Sequence, residues 1–165
     1  MNHALQCRLA PLDPGHPDAQ ALMARSEALM SALYPSESNH FEPADGLRAP
    51  HGVFWGLWLG EVLAGCGGVK FHAPADEPAY GEIKRLFVLE SARGRGAAKQ
   101  LMARLEAELL QRGLRVARLE TGIYQPEALG LYRRLGYVER APFGGYAPDP
   151  LSVFFEKVLQ PAARS

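Results

Sequence analysis

Cysteine is scarce: Cys7 and Cys66 are the only two in 165 residues. Two cannot staple a disulfide scaffold, and their separation is no metal-ligand spacing, so both are expected reduced and no metal is expected. An excess of either charge is also missing, since 18 Lys+Arg balance 18 Asp+Glu. Without an overall field, neither nucleic acid nor a membrane surface is an expected partner. No apolar run approaches the roughly 20 residues that span a bilayer. The opening "MNHALQCRLAPLD" lacks a signal-peptide core, which places the chain in the cytoplasm as an expectation. What is present, 47% apolar residues, suffices for one domain over 1–165 with a real core.

Periodicity orders the chain as βαβββαβαββ. "ALQCRLA" reads as a first strand, and Ala19, Leu22, Met23, Ser26, Met30 and Leu33 fall at helical spacing within a helix over 16–33. The polar stretch "YPSESNHFEPADGLRAPHG" is long enough to be a binding loop or lid. "VFWGLWLG" and "EVLAGCGGVKF" form a hairpin turning at Gly60-Glu61, and "EIKRLFVL" is the next strand. A helix over about 96–112 stops at Gly113. "RVARLET" is a strand, and "PEALGLYRRLG" is a short helix opened by Pro126 and closed at Gly136. "YVER" and "LSVFFEKVL" are the last strands, separated by the loop "APFGGYAPDP".

The stretch "ESARGRGAAKQL" joins a strand to a helix. Gly94 and Gly96 let backbone N–H groups converge on one anion. The helix start adds its own unpaired N–H groups and partial positive charge. Such a nest suits a pyrophosphate, with Arg93 and Arg95 free to bond further phosphate. The P-loop pattern fails because Ala98 precedes Lys99 and Gln100 follows it. The dinucleotide pattern reaches Lys99 where its third glycine belongs, although Glu120 stands near the place of a ribose-binding acid. That sheet would begin halfway along the chain, which leaves a dinucleotide-binding oxidoreductase as a weak rival.

These residues resemble the GNAT superfamily of N-acetyltransferases. "FVLESARGRGAAKQLMARLEAEL" is similar to its coenzyme motif, with Arg93, Gly96 and Ala98 at the R-x-x-G-x-G/A positions. "QPEALGLYRRLGY" resembles the segment N-x-x-A-x-x-x-Y-x-x-x-G-[FY] at Ala128, Tyr132, Gly136 and Tyr137, with Gln125 in place of Asn. The resemblance implies an α/β, single-domain GNAT-like fold: a mixed, mostly antiparallel twisted sheet of about six to seven strands with about four helices. Residues 1–80 would form the acceptor-side half and 81–159 the coenzyme-binding half. It implies acetyl-CoA as cosubstrate, with Phe87 and Val88 pairing the pantetheine arm. Arg93, Gly94, Arg95, Gly96, Ala97 and Ala98 would hold the pyrophosphate. Family members often pair through C-terminal strands, which allows a homodimer.

Acetyl transfer to an amine needs a neutral nucleophile, a donor for the thioester carbonyl and a proton for the departing thiolate. Glu82 stands where some members carry a catalytic glutamate; burial among Ile83, Leu86 and Phe87 is expected to raise its pKa and make it the base. The competing reading is an ion pair with Lys84, Arg85 or a neighbouring arginine. Tyr132 is the expected acid, and the N–H of Val88 the carbonyl donor. Cys66 reads as a small core residue. For the acceptor, Glu37, Glu42 and Asp45 give the first loop an acidic bias, while Tyr34, His40, Phe143 and Tyr146 could pack around a carbon skeleton. Strand alternation puts Lys84 on the face of Glu82 and Arg85 on the other; one of this basic pair could hold an acceptor carboxylate. The acceptor is thus expected to be a small amino-acid-like or polyamine-like amine. A protein N-terminus or lysine, and a non-catalytic acyl-CoA sensor, remain open beside it.

Overall fold

A computed structural model describes residues 6–161. The elements follow the expected order: β1 (Cys7–Pro11), α1 (Pro17–Leu33), β2 (Gly52–Leu59), β3 (Val62–His72), β4 (Tyr80–Val88), α2 (Ala97–Gln111), β5 (Val116–Gly122), α3 (Pro126–Arg134), β6 (Val138–Arg140) and β7 (Ser152–Val158). The described residues contain three α-helices rather than about four. The long polar loop supplies only single 3-10 turns, at Ser36–Ser38 and Ala44–Leu47. Pro35 and Pro43 stand before those turns, and proline cannot sit inside a longer helix.

All seven strands form one sheet in the order β1-β2-β3-β4-β5-β7-β6. Its pairs are antiparallel except β4 with β5, which run parallel across the α2 crossover. One face packs on α2 and α3 through Val69, Ile83, Met102, Leu105, Leu109, Leu119, Tyr132 and Phe155. The other meets α1 through Ala19, Leu22, Met23, Leu47, Phe54 and Cys66. The α1 stripe is therefore divided. Its first half is core, whereas Ser26, Met30 and Leu33 line a cavity. No helix among the described residues is long and apolar enough to cross a membrane.

The parallel pair is short. Gly81 pairs with Ala117 and Glu82 with Arg118, and from there the two strands part. β4 runs on to Val88 and β5 to Gly122 with no further pairing between them. Leu105 is wholly buried beneath this region. Leu105→Ala should cost about 2–5 kcal/mol in urea denaturation; a loss under about 1 kcal/mol would contradict a close-packed layer between α2 and the sheet.

Candidate active site

The parting of β4 and β5 opens a cavity of about 730 Å3. One end is lined by Arg93, Gly94, Gly96, Ala97, Ala98 and Lys99, and the other by α1 and the loop around His40. Glu120 and Tyr132 lie on its wall between them.

At the first end, Gly94 and Gly96 take φ of +78° and +73°, a left-handed conformation that favours glycine, and nothing lies where a Cβ would stand on either. Gly96 caps α2, and the first hydrogen bond into the helix runs from the N–H of Gln100 to the carbonyl of Gly96. The N–H groups before Gln100 thus have no partner in the helix. The end is positive, with Arg93, Lys99 and Arg134 on the lining and Glu127 opposing them. Arg95 is exposed and off the lining.

Along the β4 edge, the N–H of Leu89 donates to the carbonyl of Ala64 at 2.8 Å. Backbone groups alternate along a strand, so the N–H groups of Val88 and Leu86 point the other way, into the opening. Phe87 lines the cavity, but the same alternation turns its polar backbone groups toward β3. The expectation that Phe87 and Val88 would both present an edge is thus corrected to Leu86 and Val88.

Glu82 does not line the cavity. Its side chain is only 5% exposed. His72 Nε2 donates to Oε1 at 3.0 Å, the Tyr146 hydroxyl donates to Oε2, and Lys84 Nζ lies 3.6 Å from Oε2. Burial pushes this carboxyl up, but the hydrogen bonds from His72 and Tyr146 and the charge of Lys84 outweigh it and hold it below its usual value. The expected rise is therefore reversed, and the ion-pair reading of Glu82 is the one the geometry bears out.

Glu120 has the environment expected of Glu82. Ser152 Oγ donates to its Oε2 at 2.7 Å, and no hydrogen bond among the described residues engages Oε1. Burial raises its pKa; the Ser152 bond and nearby cations reduce the rise without cancelling it. The sequence placed Glu120 near the end of the β5 strand, but the missing strand pairing that exposes it to the cavity was not readable there. Tyr132 is buried, its hydroxyl makes no hydrogen bond among the described residues, and it keeps its proton, because burial and the Glu120 charge push its pKa up. Burial likewise pushes the Cys66 thiol up to about 12, so that it sits as an inert core group.

The acceptor-side expectations divide. Tyr34, His40 and Lys84 line the cavity; Glu37, Phe143 and Tyr146 do not. Glu37 is exposed, Phe143 is core with Tyr80 and Phe154, and Tyr146 clamps Glu82 from behind. The Tyr34 hydroxyl is taken, donating to Gln125 Oε1 at 3.3 Å and accepting from the N–H of Tyr124 at 3.0 Å. Gln125 also accepts from the N–H of Gly122, so it fastens the end of β5 to the start of α3. Arg85 departs from strand alternation. Gly68 pairs with Lys84 but Cys66 with Phe87, so the register slips there, and Arg85 takes φ of 60°. This bulge turns Lys84 and Arg85 to the same side, where both bond the loop: Lys84 Nζ donates to the carbonyl of His40 at 3.1 Å, and Arg85 Nε to that of Glu42 at 3.1 Å.

The acetyltransferase (GNAT) family profile matches residues 20–137. An IAA acetyltransferase from Azospirillum brasilense is 40% identical over 138 residues, 84% of this chain and 88% of that protein. A Klebsiella pneumoniae structure named for acyl-CoA N-acyltransferase activity superposes with a TM-score of 0.77 at 32% identity, covering 94% of this chain and 99% of that one. A Bacillus subtilis acetyltransferase solved in complex with CoA shares the fold, with a TM-score of 0.65 at 18% identity over 94% of this chain and 100% of its own.

The lowered Glu82 carboxyl makes a stability prediction. A group whose folded pKa lies below its unfolded value stabilises the fold above the unfolded value and loses that contribution as pH falls. Glu82→Gln should therefore destabilise the protein at pH 7, and the difference from the parent should shrink as the pH drops below about 4.5. Thermal unfolding across pH checks this; a difference independent of pH would refute the ion-pair role.

Proposed function

The chain belongs to the acetyltransferase (GNAT) family, and from that premise we propose that it moves an acetyl group from acetyl-CoA to the primary amine of a small amino-acid-like or polyamine-like molecule, by direct attack in a ternary complex. The observation that carries this reading is the opening between β4 and β5, which joins an anion nest at one end to a carboxylate and a tyrosine at its middle. The residues present fit the coenzyme. Open left-handed glycines and free helix N–H groups suit a pyrophosphate, and the bare β4 edge suits an extended amide-bearing arm, which would add as a strand does.

Acetyl-CoA supplies the acetyl thioester; this chain's residues position it and move protons. Glu120 Oε1 takes a proton from the acceptor's ammonium, leaving a neutral amine whose nitrogen bonds the acetyl carbon as the carbon–sulfur bond breaks. Tyr132 gives its phenolic proton to the departing thiolate, the acylated nitrogen sheds its second proton to solvent to leave the neutral amide, and the proton on Glu120 returns to Tyr132 through solvent. The N–H of Val88 points into the opening, where a carbonyl oxygen gaining negative charge would meet it. Glu82 holds Lys84, Tyr146 and His72 in place behind the cavity.

The loop supports a small acceptor over a polypeptide. It is tied down at three points, by Lys84 on His40, by Arg85 on Glu42 and by Ser38 Oγ donating to Asp149 Oδ2 at 2.7 Å. The cavity's roughly 730 Å3 must hold both the coenzyme arm and the acceptor, leaving room for a compound of metabolite size.

Thiol release from acetyl-CoA across an amine panel tests the reaction. Glu120→Gln should lower kcat about 10²–10⁴-fold with CoA affinity unchanged. The rising limb of the pH profile should flatten as well. Glu82→Gln activity falling further than that of Glu120→Gln, with both variants folded, would return the base to Glu82.

A further inference from the structure

We infer that the acceptor carries a carboxylate as well as its amine, and that Arg85 is the residue that seats it; the inference rests on the acetyltransferase reading above. Arg85 is the one non-glycine among the described residues with positive φ. An arginine in the left-handed region is a strained choice, and such residues concentrate where a side chain must be aimed. Here the bulge turns the guanidinium off its alternating face and onto the cavity lining.

The guanidinium is incompletely bonded there. Nε donates to the Glu42 carbonyl and Nη2 to Glu27 Oε1 at 2.7 Å, while Nη1 is buried without a partner among the described residues. Phe41 lies against the group, its ring centroid 5.1 Å from Cζ. An arginine offers a planar fork that fits a carboxylate, and a buried unfilled donor invites one. Lys84, the other candidate, has no donor to spare: its three N–H groups face the His40 carbonyl, the Tyr146 hydroxyl at 2.9 Å and Glu82.

The surroundings select further. Leu29, Leu33 and Phe41 are 41%, 37% and 37% exposed, and all three line the cavity beside Met30. An apolar rim of this kind, set between an arginine and Glu120, fits an amino acid with an apolar side chain. Its amine faces Glu120, its carboxylate faces Arg85, and its side chain lies on α1. A polyamine would instead bring a second cation toward Arg85 and Lys84.

Calorimetric titration of the CoA-loaded protein with matched pairs tests this: leucine against isoamylamine, phenylalanine against phenethylamine, with putrescine as the polyamine. The amino acid of each pair should bind about 10–100-fold more tightly than its decarboxylated partner. Arg85→Asn, a residue that accepts the left-handed backbone, should erase that preference while CoA affinity holds. Should that variant fail to fold, Arg85→Lys, which keeps the charge and loses the fork, should narrow the preference. Equal affinity within each pair, tightest binding of putrescine, no binding by any probe, or a preference that survives Arg85→Asn would overturn the inference. Thiol release separates the two readings: preferred binding of the amino acids without any acetylation would uphold the carboxylate seat and contradict acetyl transfer.

Discussion

Everything in the site depends on two parallel strands that stop pairing. β4 and β5 share the Gly81–Ala117 and Glu82–Arg118 pairs and then diverge. A closed ladder would have consumed the N–H groups of Leu86 and Val88 and buried Glu120 against a neighbour. Divergence leaves an edge of unsatisfied backbone, which in an exposed position would invite aggregation. Here α1, α3 and the polar loop surround the edge, so it becomes the wall of a cavity.

The bulge in β4 is the second device, and it depends on the first. Glu82 stands at the last paired position, fixed by His72, Tyr146 and Lys84. Two residues later the strand bulges, and Arg85 joins Lys84 in reaching the loop. Glu82 thus anchors the point from which the strand changes course. Its lowered pKa fits an anchor that stays charged, whereas the raised pKa of Glu120 fits a group that takes up a proton more readily than an ordinary carboxylate. The two acids occupy adjacent strands, and their bonding partners divide the work between them.

The strand and helix order was legible because each element carries its own period and its own stop residues, and the glycine turn was legible because φ above zero is written as glycine. Local patterns do not record where a ladder ends, so they do not show that Glu120 lines the cavity while Glu82 does not. Alternation put Arg85 on the wrong face, since a bulge leaves no mark when an arginine rather than a glycine occupies it. The helical stripe of α1 reads as one face over its whole length because Met30 and Leu33 are as apolar as Leu22. Only the tertiary arrangement shows that their partner is a cavity. Tyr146 and Phe143 were aromatic and near the site in sequence, but their rings pack behind Glu82 and Arg118.

Amide hydrogen exchange with and without CoA tests most directly whether the gap between β4 and β5 is a coenzyme seat. Exchange should slow at 86–88 and 93–98 when CoA is added, with the far strands β1 and β2 unaffected. Unchanged exchange along the β4 edge and the glycine turn, at CoA concentrations that saturate binding, would mean that the coenzyme lies elsewhere.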